Sequence, residues 1–387
     1  MKIAVLVKSF ILAGGAERYA VELTRRLMEK GHDIDLYARY VDGQLTGGMR
    51  HIRVPDRCTF SSAGNSLSFA REAARLLAGK KYDVIHSHER GYLQDVATLH
   101  TFSYRSALRK YSPLRRMDMT YLSHRSWIYL WLEKRQMATS RLVAVSNLIR
   151  DEVRENYRRS EGVHVIPPGV DPDQFHPAWV AEHREALRKE MGIGRDEMAV
   201  LFVGSEFRRK GLDLLIPAIG PGMRLVVVGQ GERLDHYIRL AAAHGIGDRI
   251  RFTGLVKSDV RKYYAIADVV ALPSLSDAFG MSILEGMACG IPAVASPGAG
   301  VSSLITSGVN GFVAADSTGL AASLNRLLDP SLRVSLGAAA LRTAQNHSWE
   351  KVADAYESVF YDAVEQKGIR EAVREGKTGG CIRGRSG

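Results

Sequence analysis

The feature that most constrains this chain is an alternation that runs through it twice: short apolar runs of strand length, each followed by an amphipathic stretch of helical spacing. Parallel strands need long connections, and a helix supplies one while covering a face of the sheet, so this alternation predicts parallel strands joined by crossover helices. Residues 2–7 open the first series. Residues 16–30 then read as a helix, with Ala16, Tyr19, Ala20, Leu23 and Leu27 on one face and Gly31 as its stop. Residues 34–37, 84–87 and 142–145 supply further strands, and Ser146 is placed to cap the helix that follows. Around residues 165–172 the run Val-Ile-Pro-Pro-Gly-Val-Asp-Pro breaks the periodicity and marks a hinge. A second series begins beyond it, with strands over 200–204, 225–229, 251–254, 269–272 and 293–295.

The expected fold class is therefore α/β, with two Rossmann-like doubly wound domains over residues 1–168 and 169–346. A last helix over 347–366, carrying Trp349, Val352, Tyr356 and Val359, is expected to pack back on the first domain. The Gly- and Arg-rich residues 367–387 have nothing to bury and read as a disordered tail. Open parallel sheets bind ligands beyond the carboxyl ends of their strands, so two such sheets facing each other predict a cleft, with the working residues just after strands.

A chain of 387 residues with 45% hydrophobic and 25% charged residues can build two cores, which excludes a fibrous or wholly disordered protein. Cys58, Cys289 and Cys381 lie far apart without paired spacing, so neither a disulfide framework nor a zinc site is indicated, and a reducing cytoplasm is expected. The first apolar run is broken by Lys8 with no cleavage site after it, which favours a strand over a signal peptide. No stretch approaches the ~20 apolar residues of a membrane span, so membrane contact is expected only as peripheral docking on the inner face of the plasma membrane. The net charge of +11 points to an anionic partner without choosing among nucleic acid, anionic lipid and a phosphorylated glycan.

Three clusters follow strands. Gly14 and Gly15 precede the first helix, where absent side chains let backbone N–H groups approach a phosphate, although a plain turn uses the same residues. The full dinucleotide fingerprint is absent. After the strand ending at Gly204 come Arg208, Arg209 and Lys210, read as the start of a helix continuing through Leu212, Leu215 and Ile216. Cations repel the positive end of a helix, so a diphosphate would resolve the conflict, while solvated loop charges are the plainer reading. The third cluster, residues 273–292, places Asp277, Phe279, Gly280, Met281, Ser282 and Glu285 between a strand and a helix, where free N–H groups suit hydroxyl and phosphate oxygens.

Taken with Gly14-Gly15, Arg209-Lys210 and the turn Gly229-Gln230-Gly231, that third cluster resembles glycosyltransferase family 4, retaining enzymes of GT-B fold. The family spaces two glutamates by seven residues, with Phe-Gly early in the interval. Here the first position is Asp277, one methylene shorter, and the second is Glu285. The resemblance implies that Asp277 and the N–H groups of Phe279, Gly280 and Met281 meet the donor sugar, and that Glu285 accepts from ribose hydroxyls. It also implies that Arg209 and Lys210 neutralise the departing diphosphate without a metal. His100 matches a family position near the donor sugar and phosphate, whereas His86 and His88 read as packing or strand-end residues. Gly204, Ser282 and the backbone near Leu255 and Val256 complete the expected donor site.

The implied reaction moves a hexose, with retention, from a nucleotide diphosphate sugar, expected to be UDP-linked, to a glycan or glycolipid acceptor, with no cofactor and no metal. The wording around residues 204–211 is most similar to the branch of the family that adds glucose to the lipopolysaccharide core. Asp33-Ile34-Asp35 and Asp171-Pro172-Asp173 look like metal motifs, but the first opens a strand and the second lies in the hinge. One alternative is a nucleotide-sugar-binding protein without transferase turnover. A nucleic-acid binder is another class, yet no helix-turn-helix, zinc or RNP-like motif supports it.

Residues 104–135 interleave Arg105, Arg109, Lys110, Arg115, Arg116, Arg125, Lys134 and Arg135 with Tyr104, Tyr111, Tyr121, Trp127, Tyr129 and Trp131, against only Asp118 and Glu133. That mixture suits an anionic bilayer surface. It equally suits a helix whose Trp127, Ile128, Leu130 and Trp131 fill the first domain's core while the arginines solvate it.

Overall fold

The computed structural model describes residues 1–58, 60–109, 111–113, 115, 117, 119, 123–256 and 259–374. Lys110, Arg116, Asp118 and Tyr121 of the basic aromatic stretch, and the tail over 375–387 with Cys381, lie outside the described residues. The chain divides into two compact units, the first formed by residues 1–144, 150–166 and those from Val352 onward, the second by Val145–Ile149 and Pro167–Lys351.

The first unit is built on a seven-stranded parallel sheet in the order β5-β3-β1-β6-β7-β8-β9. Its strands are β1 (Lys2–Leu6), β3 (Asp33–Ala38), β5 (Arg50–Arg53), β6 (Val84–Ser87), β7 (Val96–Leu99), β8 (Arg141–Ala144) and β9 (Val163–Val165). A small parallel pair, β2 (Ser9–Phe10) with β4 (Tyr40–Val41), lies outside that sheet. Central β1 is apolar on both faces and buried from Ile3 to Leu6, as a strand covered by helices on both sides must be. The helix Gly15–Glu29 buries Tyr19, Ala20, Leu23 and Leu27, and Gly31 follows it in the left-handed conformation (φ 85°) that ends a helix at low cost. The last helix, Trp349–Arg374, runs past the expected end at 366. Its Tyr356 and Phe360 are buried in the first unit, where Tyr356 hydrogen-bonds Tyr19 and Thr98.

The second unit repeats the plan with six parallel strands in the order β12-β11-β10-β13-β14-β15. They are β10 (Met198–Val203), β11 (Met223–Val228), β12 (Ile250–Phe252), β13 (Val269–Leu272), β14 (Ala293–Ala295) and β15 (Gly311–Val313). β10 sits between β11 and β13, so the segments after these three strands leave the same edge of the sheet side by side. The helix Met281–Ala288 lies directly on β13 because position 286 is glycine: a Cβ there would stand 2.5 Å from a methyl of Val270. Gly290, at φ 74°, ends that helix.

Candidate functional site

In the second unit the strand ends are shaped by glycine. Gly204 follows β10 and Gly229 follows β11; their backbones touch, and a Cβ on Gly229 would overlap the Gly204 carbonyl. Gly231 lies against the ring of buried Phe207, leaving no room for a side chain. Gly211, left-handed at φ 80°, presses on the carbonyl oxygen of Pro273, the residue after β13, so the Arg209-Lys210 turn is drawn onto the segment that carries Asp277. The N–H of Leu275 donates to the Arg209 carbonyl at 2.9 Å, which joins the same two segments a second time.

The charged groups occupy this frame. Lys210 Nζ donates to Asp277 Oδ2, and both side chains are largely buried. Arg209 donates to Glu206 and to the Ser276 carbonyl (2.7 Å), and its side chain is exposed. The helix after them is a single turn, Leu212–Leu215, and the cations precede it in a turn where Glu206 pairs with Arg209 and Asp277, from the segment after β13, pairs with Lys210. The expected electrostatic conflict is thus corrected: protein carboxylates answer Arg209 and Lys210, and no ligand is required to hold them there.

Asp277 is held by its backbone, its N–H donating to Gly298 (2.8 Å) and its carbonyl accepting from Gly300 (3.1 Å). Phe279 is buried and its carbonyl accepts from Val301 (2.7 Å). Gly280 then turns the chain with φ 104° and serves as N-cap without any side-chain cap, so Met281 and Ser282 open the helix Met281–Ala288. One turn on, Glu285 is buried, and the phenol of Tyr264 donates to its Oε2 and to the Ser282 carbonyl. Tyr264 comes from the helix Arg261–Ile266 and packs edge-on against Phe175, with centroids 5.5 Å apart. Nothing in the spacing of the sequence singled it out; one apolar-face tyrosine beside Tyr263 looks like core. Leu255 is exposed and Val256 half-buried in the segment after β12.

In the first unit Gly14 is the N-cap of the helix Gly15–Glu29 at φ 94°, and a Cβ there would overlap the Glu17 carboxylate. His100 follows β7 and His88 follows β6, its neighbour in the sheet. His88 Nδ1 and His100 Nε2 are 2.9 Å apart with the rings within 20° of coplanar, an edge-to-edge hydrogen bond. His86 Nε2 meets the Thr98 hydroxyl at 2.8 Å, and Thr98 meets Tyr356 at 2.7 Å. Burial holds His86 and His100 down at about 3 and pushes His88 well below the usual imidazole range, so all three rings are neutral at physiological pH. His88 and His100 line a cavity of about 180 Å³ with Arg90, Thr101, Glu133 and Glu152.

Trp127 and Trp131 are 61% and 42% exposed, on the outer face of the helix His124–Met137, while Tyr129 and Leu132 fill the inner face. Of the two alternatives left open for this stretch, core filling therefore fails for the two tryptophans, because the helix turns positions 129, 132 and 136 inward instead. Among the described residues no helix is long and apolar enough to cross a membrane, and no group of three or more His, Cys, Asp or Glu is placed to hold a metal ion.

Two family models match the chain, "Glycosyltransferase Family 4" over residues 13–174 and "Glycosyl transferases group 1" over residues 183–343. A D-inositol 3-phosphate glycosyltransferase of Geodermatophilus obscurus is 30% identical, the alignment covering 92% of this chain and 86% of that one. The protein of the same description from Salinispora arenicola is 31% identical, over 91% and 88%. Among solved structures, WaaG, a glycosyltransferase involved in lipopolysaccharide biosynthesis, superposes with a TM-score of 0.79 at 21% identity, covering 92% of this chain and 99% of that one. Anabaena HepE in complex with UDP and glucose superposes with a TM-score of 0.70 at 20% identity, covering 93% and 99%.

Proposed function

The chain belongs to glycosyltransferase family 4, and from that premise we propose that it is a metal-independent hexosyltransferase that retains the anomeric configuration of a nucleoside diphosphate sugar. The observation that carries this reading is the frame in the second unit that joins Lys210 to Asp277 and places both one short turn from the helix bearing Glu285. Glu285, anchored by Tyr264, accepts from the ribose hydroxyls. The uncapped N–H groups at Gly280, Met281 and Ser282 meet sugar hydroxyls, and the glycine-bare ends at Gly204 and Gly229 admit the nucleotide. Arg209 and Lys210 receive the charge that grows on the leaving diphosphate, the work a metal performs in other transferases. Gly14 and Gly15 open the first unit's helix toward an anion, and His100 serves as a neutral hydrogen-bonding group toward the sugar or phosphate.

In this mechanism the acceptor oxygen attacks the anomeric carbon on the face from which the phosphate departs. The carbon–phosphate-oxygen bond breaks, the new glycosidic bond forms, and the acceptor proton passes to a phosphate oxygen. The products are the retained glycoside and the nucleoside diphosphate.

The acceptor is proposed to be a hydroxyl compound carrying phosphate, which suits the +11 net charge. Inositol 3-phosphate, named for the relatives, and a phosphorylated lipopolysaccharide core, the acceptor implied by the wording around residues 204–211, share that chemistry. The exposed Trp127 and Trp131 with Arg125 and Arg135 favour a lipid-borne acceptor met at an anionic surface. Vesicle flotation with and without anionic lipid separates the two sources.

The test is transfer or slow hydrolysis of UDP-, ADP- and GDP-linked hexoses in excess chelator, with product anomers read by NMR. Retained product without added metal is expected, with turnover of Arg209→Ala and Lys210→Ala lowered about 10²–10³-fold. An inverted product, a strict metal requirement or unchanged turnover in both variants overturns the reading.

A further inference from the structure

Lys210 reaches its partner across two strand ends, and the partner is the acidic residue that the donor reading assigns to the sugar. Asp277 is buried, its side chain 11% exposed, and its backbone is tied on both sides to Gly298 and Gly300, so the position of its Cα does not depend on what its side chain binds. The same oxygen that accepts from Lys210 lies 3.8 Å from where a Cβ of Gly280 would stand, over the uncapped start of the helix Met281–Ala288. One carboxylate oxygen therefore adjoins both the ammonium and the site of hydroxyl recognition. A diphosphate approaching Lys210 meets a cation already neutralised, and a negative charge beside it opposes the newcomer.

We propose that Asp277 holds Lys210 while the site is empty, yields it to the donor diphosphate, and by that exchange is released to accept hydrogen bonds from the donor sugar. This rests on the donor-binding reading above. The exchange gives the carboxylate two opposite effects. It disfavours a nucleoside diphosphate that brings no sugar, since the lost ion pair is not replaced. It favours the intact donor, whose hydroxyls take the place of Lys210. After transfer, Asp277 recaptures Lys210 and helps the product leave. Aspartate suits this better than a longer acid, because its short arm on a pinned backbone leaves few alternative partners within reach.

The experiment is isothermal titration of wild type and Asp277→Asn with UDP, ADP and GDP and with UDP-glucose, UDP-galactose, ADP-glucose and GDP-mannose. Asp277→Asn is expected to bind its nucleoside diphosphate about 3–10-fold more tightly while gaining nothing for the sugar-linked form, and to lose turnover. In a Lys210→Ala background the gain should disappear, which assigns it to the pair. Asp277→Ala, with the same backbone ties, serves if the amide variant fails to fold, and melting temperatures report folding for each. Unaltered or weaker diphosphate binding, equal tightening of both ligand forms, or a gain that survives in Lys210→Ala overturns the exchange. Wild type that binds none of the seven ligands overturns the donor reading itself.

Discussion

The two units present the same edge of the same kind of sheet, and they equip it in opposite ways. At the strand ends of the second unit, glycines at 204, 211 and 229 bring backbones into contact, Gly231 admits the ring of Phe207, and Arg209 and Lys210 are paired with carboxylates. At the strand ends of the first, buried His86 and His88 and half-buried His100 are packed with Tyr19 and Tyr356 and are neutral. A charge already held in an ion pair can be exchanged for a ligand's charge. A neutral ring buried at a strand end can orient a group but pays a desolvation penalty to become charged. Under the proposed function, this contrast gives charge handling to the second unit and orientation to the first.

The largest effect that sharpens this contrast is expected from glycine. Gly211→Ala places a side chain in left-handed backbone and against the Pro273 carbonyl. A loss of about 3–5 kcal/mol is expected, from strain and overlap together. Gly31, in the first unit at φ 85°, has nothing within 4 Å of the same added atom, so Gly31→Ala should cost only about 1 kcal/mol. Urea unfolding of the two variants checks the pair. Equal losses would mean that the close approach at Gly211 does not organise its unit.

A smaller effect follows from the histidines. Their folded pKa values lie below the unfolded value of about 6.5, so their contribution to stability is complete above that pH. As pH falls, the unfolded chain takes up protons that the folded chain refuses, and stability is lost from about 6.5 down to about 3, where His86 and His100 protonate in place. Each ring contributes a slope of up to ~1.4 kcal/mol per pH unit in that window. His86→Gln keeps a group able to meet Thr98 and removes one titration. Its stability deficit relative to wild type should shrink by about 1–2 kcal/mol between pH 7.5 and 5.0. A deficit independent of pH would place the ring's charge state outside the energetics of this unit.

Much of this was readable in the sequence, and the unread parts share a cause. Strands β10 and β13, and β11 from Leu225 onward, are continuous apolar runs, and such runs announce buried parallel strands. Strand β5, Arg-His-Ile-Arg, lies at a sheet edge, where exposure leaves no apolar signal, and β15, Gly-Phe-Val, at the edge of the other sheet, is too short at three residues to show a period. In the same way, the residues at the strand ends were legible as types, but their pairings were not. Nothing in the spacing of 67 residues says that Lys210 meets Asp277, and the electrostatic misfit drawn from the Arg-Arg-Lys run is answered at Arg209 and Lys210 once Glu206 and Asp277 fold against them. His88 gave no cue beyond its place after a strand, because its partner His100 comes from the next strand. Pairings across strands depend on register, and a motif confined to one segment does not carry it.

The finest distinction compares one chemical change in both units. Tyr19 and Tyr264 are buried phenols, and removing either hydroxyl deletes a buried hydrogen bond worth about 1 kcal/mol, more where the acceptor is charged. Tyr19 donates to the Ile166 carbonyl at 3.1 Å and contacts Tyr356, partners that belong to the framework of the first unit. Tyr264 donates to the Glu285 carboxylate, the proposed ribose anchor. Tyr19→Phe is therefore expected to lower the melting temperature by a few degrees and leave the donor KM within about twofold. Tyr264→Phe should raise donor KM and nucleoside diphosphate Kd about 3–10-fold with kcat nearly unchanged, because an anchor for the ribose acts alike on ground state and transition state. If Tyr264→Phe changed only stability, Glu285 would hold its orientation without the phenol, and the second unit's buried ring would be as purely structural as the first unit's.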